Sequence, residues 1–431
     1  MSARTAWLNA RVVDPASGYD GPGGLIAEDG VIVAAGRDVT ADAVGGMPVV
    51  DCAGAVLAPG LIDCRVFVGE PGGEHRETLA SAGEAAAAGG VTTFVMMPDT
   101  DPVIDDIALV DFIRRRARAT ASVNVEIAAA LTKGQSGNEM TEIGLLSRAG
   151  AVAFTDGRRF IKSALVLRRL LTYARDFGVL VMNHVEEPTL AANGVMNEGE
   201  FAARLGLSGI PREAETIALN RDLQIAGLSG GRYHAALVST SGSVDLMTRA
   251  KNDGLTVSCG VSVNHLTLNE NDVGQYRTFC KLAPPLRDEA DRAVMVEAVR
   301  TGAIDIIVSS HDPQDVEDKR HPFEEATFGA VGLETMLPAL MRLVHAGDMT
   351  LIELLSALTV RPAKLLGLPQ GRLAPGAPAD FTVFDPDEPW VLDRNDLHSR
   401  AKNTPFDEAR FQCRVHRTVV AGREVYDYRS Q

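Results

Sequence analysis

Eight apolar, strand-like runs, each followed by a stretch of helical character, constrain this chain more than any other feature. They cover residues 55–68, 91–97, 123–130, 149–155, 179–184, 233–239, 255–263 and 304–309. Between them lie Ala-, Leu- and Arg-rich stretches such as 77–88, 107–119 and 165–177. Parallel strands need crossover connections, and strands buried on both faces read as continuous apolar runs. Alternation repeated this many times predicts an α/β fold, a (β/α)8 TIM barrel. On pattern alone a doubly wound open sheet is the alternative. The 431 residues hold one such barrel plus a smaller module, or roughly two to three ordinary domains.

The two ends of the chain read differently. Residues 1–54 are short strands (6–13, 24–28, 31–35, 49–51) broken by Gly/Pro turns. After a helical stretch at 351–366, strand-like sequence returns at 379–384, 413–420 and 424–428. Residues 1–54 and 369–431 are therefore expected to pair into a small composite β-sandwich domain beside a barrel spanning 55–368. The chain is 45% hydrophobic and 23% charged, as in soluble globular proteins. No apolar run approaches the roughly 18 residues of a membrane span, and Met1-Ser2-Ala3-Arg4 leads into no signal-peptide core. Five scattered cysteines without metal-type spacing predict reduced thiols in the cytoplasm. A net charge of −15 argues against nucleic-acid and anionic-membrane partners.

The first barrel run reads Ala58-Pro59-Gly60-Leu61-Ile62-Asp63-Cys64-Arg65-Val66-Phe67. Its frame resembles the cyclic amidohydrolases, above all dihydroorotase with its allantoinase and dihydropyrimidinase relatives, which read roughly P-G-x-I-D-x-H-x-H. Further landmarks carry the resemblance along nearly the whole chain: Glu70-Pro71-Gly72, Gly89-Gly90-Val91-Thr92-Thr93, Val238-Ser239-Thr240, Pro284-Pro285-Leu286-Arg287 and Gly332-Leu333-Glu334-Thr335. It implies an amidohydrolase-type barrel, zinc in the active relatives, and a site at the C-terminal ends of the strands.

At those ends the chain departs from the family. Arg65 and Phe67 stand where two zinc histidines are implied, and Gly69 where an arginine would hold the substrate carboxylate. The family's M-P-N reads Met97-Pro98-Asp99, so Asp99 replaces a substrate-holding asparagine. The bridging aspartate falls on Gly157, although a one-residue shift would offer Asp156 instead. His184 matches a zinc histidine. Leu237 stands at another, while His234 matches the non-ligand histidine of H-x-x-H. Ala283 replaces a substrate asparagine, Ser310 the metal-binding general acid/base aspartate, and Gln314 a substrate histidine. His311, Phe328 and Gly329 are retained as pocket residues.

Of the implied ligand positions 65, 67, 157, 184, 237 and 310, only His184 keeps its donor. A binuclear centre activates water and polarises a carbonyl, and it needs several deprotonated ligands converging on each ion. A serine hydroxyl is no general base near neutral pH. The expectation is therefore no catalytic residue and no metal, with Arg65 filling the vacated space and pairing with Asp99 or Asp156. His184, His265 and His311 are read as hydrogen-bonded pocket histidines or as ligands for a different metal. Cys64, beside Arg65, is a structural thiol or an activated one. Lys162 follows the fourth run, displaced from the strand end at which relatives place a carboxylated lysine. Three functions follow. The first is a non-catalytic dihydroorotase homologue which, as the resemblance implies, supports aspartate transcarbamoylase catalytic chains in a hetero-oligomer, or forms a homodimer. The second is an active cyclic amidohydrolase with a remodelled site. The third is a small-molecule binding module.

Overall fold

The computed structural model describes residues 4–428. Five strands open the chain: β1 (Arg4–Asp14), β2 (Tyr19–Glu28), β3 (Val31–Gly36), β4 (Val49–Asp51) and β5 (Val56–Pro59). The barrel begins with β6 (Leu61–Val66), β7 (Val91–Met96), β8 (Asn124–Ala129), β9 (Ala151–Phe154) and β10 (Leu180–Asn183). A two-stranded excursion, β11 (Met196–Asn197) and β12 (Gly209–Ile210), precedes the last barrel strands β13 (Arg232–Ala235), β14 (Val257–Ser262) and β15 (Ile306–Val308). Strands β16 (Phe381–Val391), β17 (Arg410–Val420) and β18 (Arg423–Asp427) end the described chain.

The eight barrel strands run parallel in the order β6-β7-β8-β9-β10-β13-β14-β15, which excludes the doubly wound alternative. Closure is made just past β15. The Phe67 amide donates to the His311 carbonyl at 2.9 Å, and Asp63 Oδ2 accepts from the Ser309 amide at 3.2 Å. Helices such as Leu79–Ala88, Ile107–Thr120 and Ala164–Arg175 follow the strands and bury their apolar faces against them. Inside the barrel, Val95, Met97, Ala128, Ala153 and Met182 form one apolar cluster, and Ile62, Cys64, Leu237, Ile306 and Val308 another. Leu365 and Leu366 pack against both and plug the interior.

The N- and C-terminal segments pair into one sheet, β18-β17-β16-β5-β1-β2-β3, with β4 also on β1. Trp7 meets Phe381 edge-on at 4.8 Å in its core. The run at 55–68 is two strands, not one. Val56–Pro59 joins the terminal sheet, pairing with β1 and β16, and Leu61–Val66 opens the barrel. The hinge is Gly60, where a Cβ would lie 2.0 Å from Thr92 Oγ1, so no larger residue fits as the chain crosses between sheets. Apolarity does not mark that crossing; the Pro59-Gly60 dipeptide inside the run was the available signal. The helical stretch at 351–366 is likewise divided, into Leu351–Leu358 and Val360–Leu366, with Thr359 at φ −132°, ψ −81°. Pro362 explains the break. It has no N–H to continue a single helix, but sits without loss in the first turn of a new one.

Candidate functional site

A cavity of about 340 Å³ opens at the C-terminal ends of the barrel strands. Arg65 reaches it from the end of β6, Arg158 from the loop after β9, His184 and Glu186 from beyond β10, and Ser310 and Asp312 from beyond β15. Ser262 ends β14, Asn264 and His265 follow it, and Leu282, Ala283, Phe328 and Gly329 also line the wall.

Arg158 organises the mouth. Its Nε donates to Asp312 Oδ2 at 3.0 Å, its Nη2 to Oδ1 of the same carboxylate, and its Nη1 to Asp99 Oδ1 at 3.4 Å. The guanidinium lies 3.7 Å above the Phe67 ring. Gln314 Nε2 adds a 2.6 Å bond to Asp312 Oδ1. Burial disfavours charge on Arg158, but Asp312 and Asp99 outweigh it and raise its pKa. Arg65 differs. It is 3% exposed, its guanidinium lies 4.8 Å from the centroid of the same Phe67 ring, and it has no hydrogen-bond or ion-pair partner among the described residues. Burial, then the neighbouring Arg158 charge, lower its pKa to about 10. The expected pairing of Arg65 with Asp99 or Asp156 does not occur, because Arg158 takes Asp99.

Two sequence departures prove to be one structural event. Gly157 has φ +63°, and a Cβ there would lie 1.7 Å from Asp99 Oδ2. The Asp99 carboxylate thus occupies the space in which a side chain at 157 would start. Asp156 does not take over. Its Oδ1 accepts from the Thr132 amide at 2.9 Å and its Oδ2 from the Thr132 hydroxyl. Burial raises its pKa to about 6.

The histidines sort by their partners. His184 lines the cavity with Nε2 3.7 Å from Glu186 Oε1, and its Nδ1 has no hydrogen-bond partner among the described residues. His265 is held between Ser262 Oγ at 2.7 Å and the carbonyls of Pro284 and Pro285 at 3.1 Å, with its pKa lowered to about 4 by burial. His234, also neutralised by burial to about 3, bonds Ser258 Oγ at 2.8 Å. His311 is not in the cavity wall, contrary to expectation. It is fully buried behind it, with Nε2 3.3 Å from Glu77 Oε2 and Nδ1 accepting from the Gly332 amide at 3.3 Å. Its neighbour Ser310, at φ +52°, turns toward the cavity instead. Gly69, Phe67, Asp99, Gly157, Leu237 and Gln314 also lie outside the immediate lining, while Arg65, His184, Ala283, Ser310, Phe328 and Gly329 are in it. Burial drives the Cys64 thiol pKa well above its ordinary value, the opposite of activation.

A family profile described as "Dihydro-orotase-like" matches residues 54–243, and one described as "Amidohydrolase family" matches residues 329–426. A protein named dihydroorotase from Wolbachia sp. subsp. Drosophila simulans (strain wRi) is 40% identical over 428 residues, 99% of this chain and 96% of its own length. The chain belongs to the dihydroorotase family. A dihydroorotase from Pelobacter propionicus is also 40% identical, over 97% of this chain and 98% of its own. Among solved structures, the L-hydantoinase (dihydropyrimidinase) from Arthrobacter aurescens superimposes with a TM-score of 0.88 at 26% identity, over 98% of this chain and 96% of that one.

The donor set at the mouth does not fit the zinc pair that dihydroorotases use. Zinc needs imidazole, thiolate or carboxylate atoms converging at about 2.0–2.3 Å. Here His184 shares the cavity wall with Arg65 and Arg158 and has only the Glu186 carboxylate near it, while Asp99, Asp156 and Asp312 are turned to Arg158 or Thr132. Among the described residues, His, Cys, Asp and Glu side chains gather closely enough for a metal only at Asp385, Glu388 and His416, in the terminal sheet. Arg158 and Asp312 were missed as a pair by sequence reading because they lie in loops after different strands. The available signal was a cation directly following the vacated position 157.

Proposed function

We propose that this dihydroorotase-family chain is non-catalytic and serves pyrimidine biosynthesis as a structural or regulatory partner of aspartate transcarbamoylase. One observation carries the loss of catalysis: where ligands would converge, the mouth holds two arginines, one paired and one not, with Asp99 and Asp312 both bound to Arg158 and Glu186 the one carboxylate beside His184. The well-packed barrel beneath supports selection for shape. The partner rests on the resemblance of the degenerate motifs to family members that assemble with that enzyme. A second reading, an active cyclic amidohydrolase with a remodelled site, is favoured by the relatives, since those matched along nearly their full length are named dihydroorotase.

The test is dihydroorotate hydrolysis by the purified chain with added zinc, beside a genuine dihydroorotase, with metal content measured on the same protein. No turnover above the zinc blank and no stoichiometric zinc are expected. Turnover within about a hundredfold of the reference, roughly 2.7 kcal/mol in barrier, overturns the non-catalytic reading. Sedimentation with aspartate transcarbamoylase is expected to give a complex, and two independent species would refute the partner.

A further inference from the structure

We infer that a second cavity, between the loop after β14 and the segment joining β16 to β17, binds a polyphosphate anion of about the size of a nucleoside triphosphate. It shares no lining residue with the barrel mouth and stands whether or not the mouth is catalytic.

The cavity holds about 1050 Å³. Residues 276–279, the short helix Val316–Arg320 with Asp315 before it, and residues 394–408 supply most of its wall. Four of its cations have no carboxylate within ion-pair distance among the described residues. Lys319, 4% exposed, donates from Nζ to the carbonyls of Thr278 at 3.0 Å and Thr327 at 2.7 Å. Lys402 Nζ donates to the carbonyls of Leu397 and Ser399. Arg277 donates to the carbonyls of Pro405 at 2.9 Å and Asp272 at 3.4 Å. The exposed Arg400 guanidinium makes no bond among the described residues, and only its backbone amide is spent, on Glu77. Carbonyls satisfy donors but leave the positive charge in place. The same bonds tie the three walls to one another, so the cations are already held around one space and little ordering is left for a ligand to bring about.

With Arg320 and Arg394, six lysines and arginines line the cavity against three carboxylates, Asp315, Asp407 and Glu408, in a chain of net charge −15. Two of these charges are already answered: Arg394 pairs with Asp407 at 3.4 Å, and Arg320 with Glu317 at 2.5 Å. A concave site whose sign opposes that of the whole molecule concentrates anions. The charge count decides which anion. A monocarboxylate or a single phosphate would leave most of the four unpaired cations unanswered, whereas a triphosphate carries roughly four negative charges on one small body near neutral pH. Guanidinium forks suit its oxygens, and a lysine serves as a point charge beside them. The volume is at the large end of ligand sites, roughly 300–1,000 Å³, and far more than inorganic phosphate fills. Phe279, half-buried with the Arg394 guanidinium 5.5 Å from its ring, and Tyr276, 48% exposed, add ring surface that an organic body can cover.

The test is calorimetry and thermal unfolding of the full chain in magnesium-free buffer, with ATP, UTP and inorganic tripolyphosphate as probes. Adenosine is the uncharged control and octaglutamate the acidic-peptide arm. Saturable binding of at least one polyphosphate with a rise in Tm is expected, and none of adenosine. Tighter binding of a nucleotide than of tripolyphosphate identifies a nucleotide as the source, and equal binding identifies the polyphosphate chain alone. Arg400→Glu, at an exposed side chain with no bond to lose, should weaken binding roughly tenfold or more. Arg168→Glu, on the exposed face of the helix Ala164–Arg175 and outside the cavity, should leave it within about twofold, because exposed charges beyond a Debye length are screened. Failure of every polyphosphate to bind overturns the assignment. So does an equal loss in the two variants, which would mean non-specific attraction, and so does tighter binding of octaglutamate, which would make the cavity a dock for an acidic protein segment.

Discussion

At the scale of single residues, the two substitutions Asp99 and Gly157 behave as one. A Cβ at 157 meets Asp99 Oδ2 at 1.7 Å, and the backbone there is left-handed. Gly157→Ala should therefore lose about 2–3 kcal/mol, roughly 1 from the positive φ and the rest from the clash. In an Asp99→Ala background the clash disappears and the loss should fall to about 1 kcal/mol, a coupling that urea denaturation of the four proteins will read. Additive losses would show that the two positions are independent. Sequence reading found both departures but treated each alone. It also put His311 in the pocket and left Arg158 without a role. The causes differ: at His311 the strand end bends out of regular alternation, with a left-handed Ser310 beside it, so facing cannot be counted from the strand, while Arg158 meets Asp312 only because two loops after different strands converge.

At the scale of elements, strand positions were legible almost residue by residue because buried parallel strands are apolar throughout. What apolarity could not show was the change of sheet at Gly60 or the contacts that close the ring. Asp63 makes that closure from β6, taking the amides of Arg65 and Ser309, and burial raises its pKa to about 6 from an ordinary 3.8. The sign follows directly. The folded protein holds this proton more tightly than the unfolded chain, so the contribution is full below about pH 4 and is lost as pH rises through about 6. The loss is on the order of 3 kcal/mol. Asp63→Asn cannot titrate. Whatever its absolute stability, its free energy relative to the parent should climb between pH 4 and 6. Urea melts across that range check this, and parallel curves would show that Asp63 is ionised throughout.

At the scale of the whole molecule, the terminal sheet does not belong to either end of the chain alone. β16 pairs with β5, and the Trp7–Phe381 contact joins residues from opposite ends. A chain ending at residue 368 should leave the β5 edge unpaired and the Leu25, Leu57 and Val12 face uncovered. It is expected to lose near-ultraviolet circular dichroism and to aggregate. A soluble, cooperatively melting fragment would show that the barrel stands without its C-terminal strands. The pairing also sets a schedule for synthesis. Pro59 emerges from the ribosome with its partner Phe381 still untranslated, and at ordinary elongation rates that interval is on the order of tens of seconds. For that time the nascent chain carries a bare strand edge beside an apolar face. Newly made copies crowded on one messenger would be prone to pair with one another there, which makes the β5 edge the natural place for a chaperone to hold.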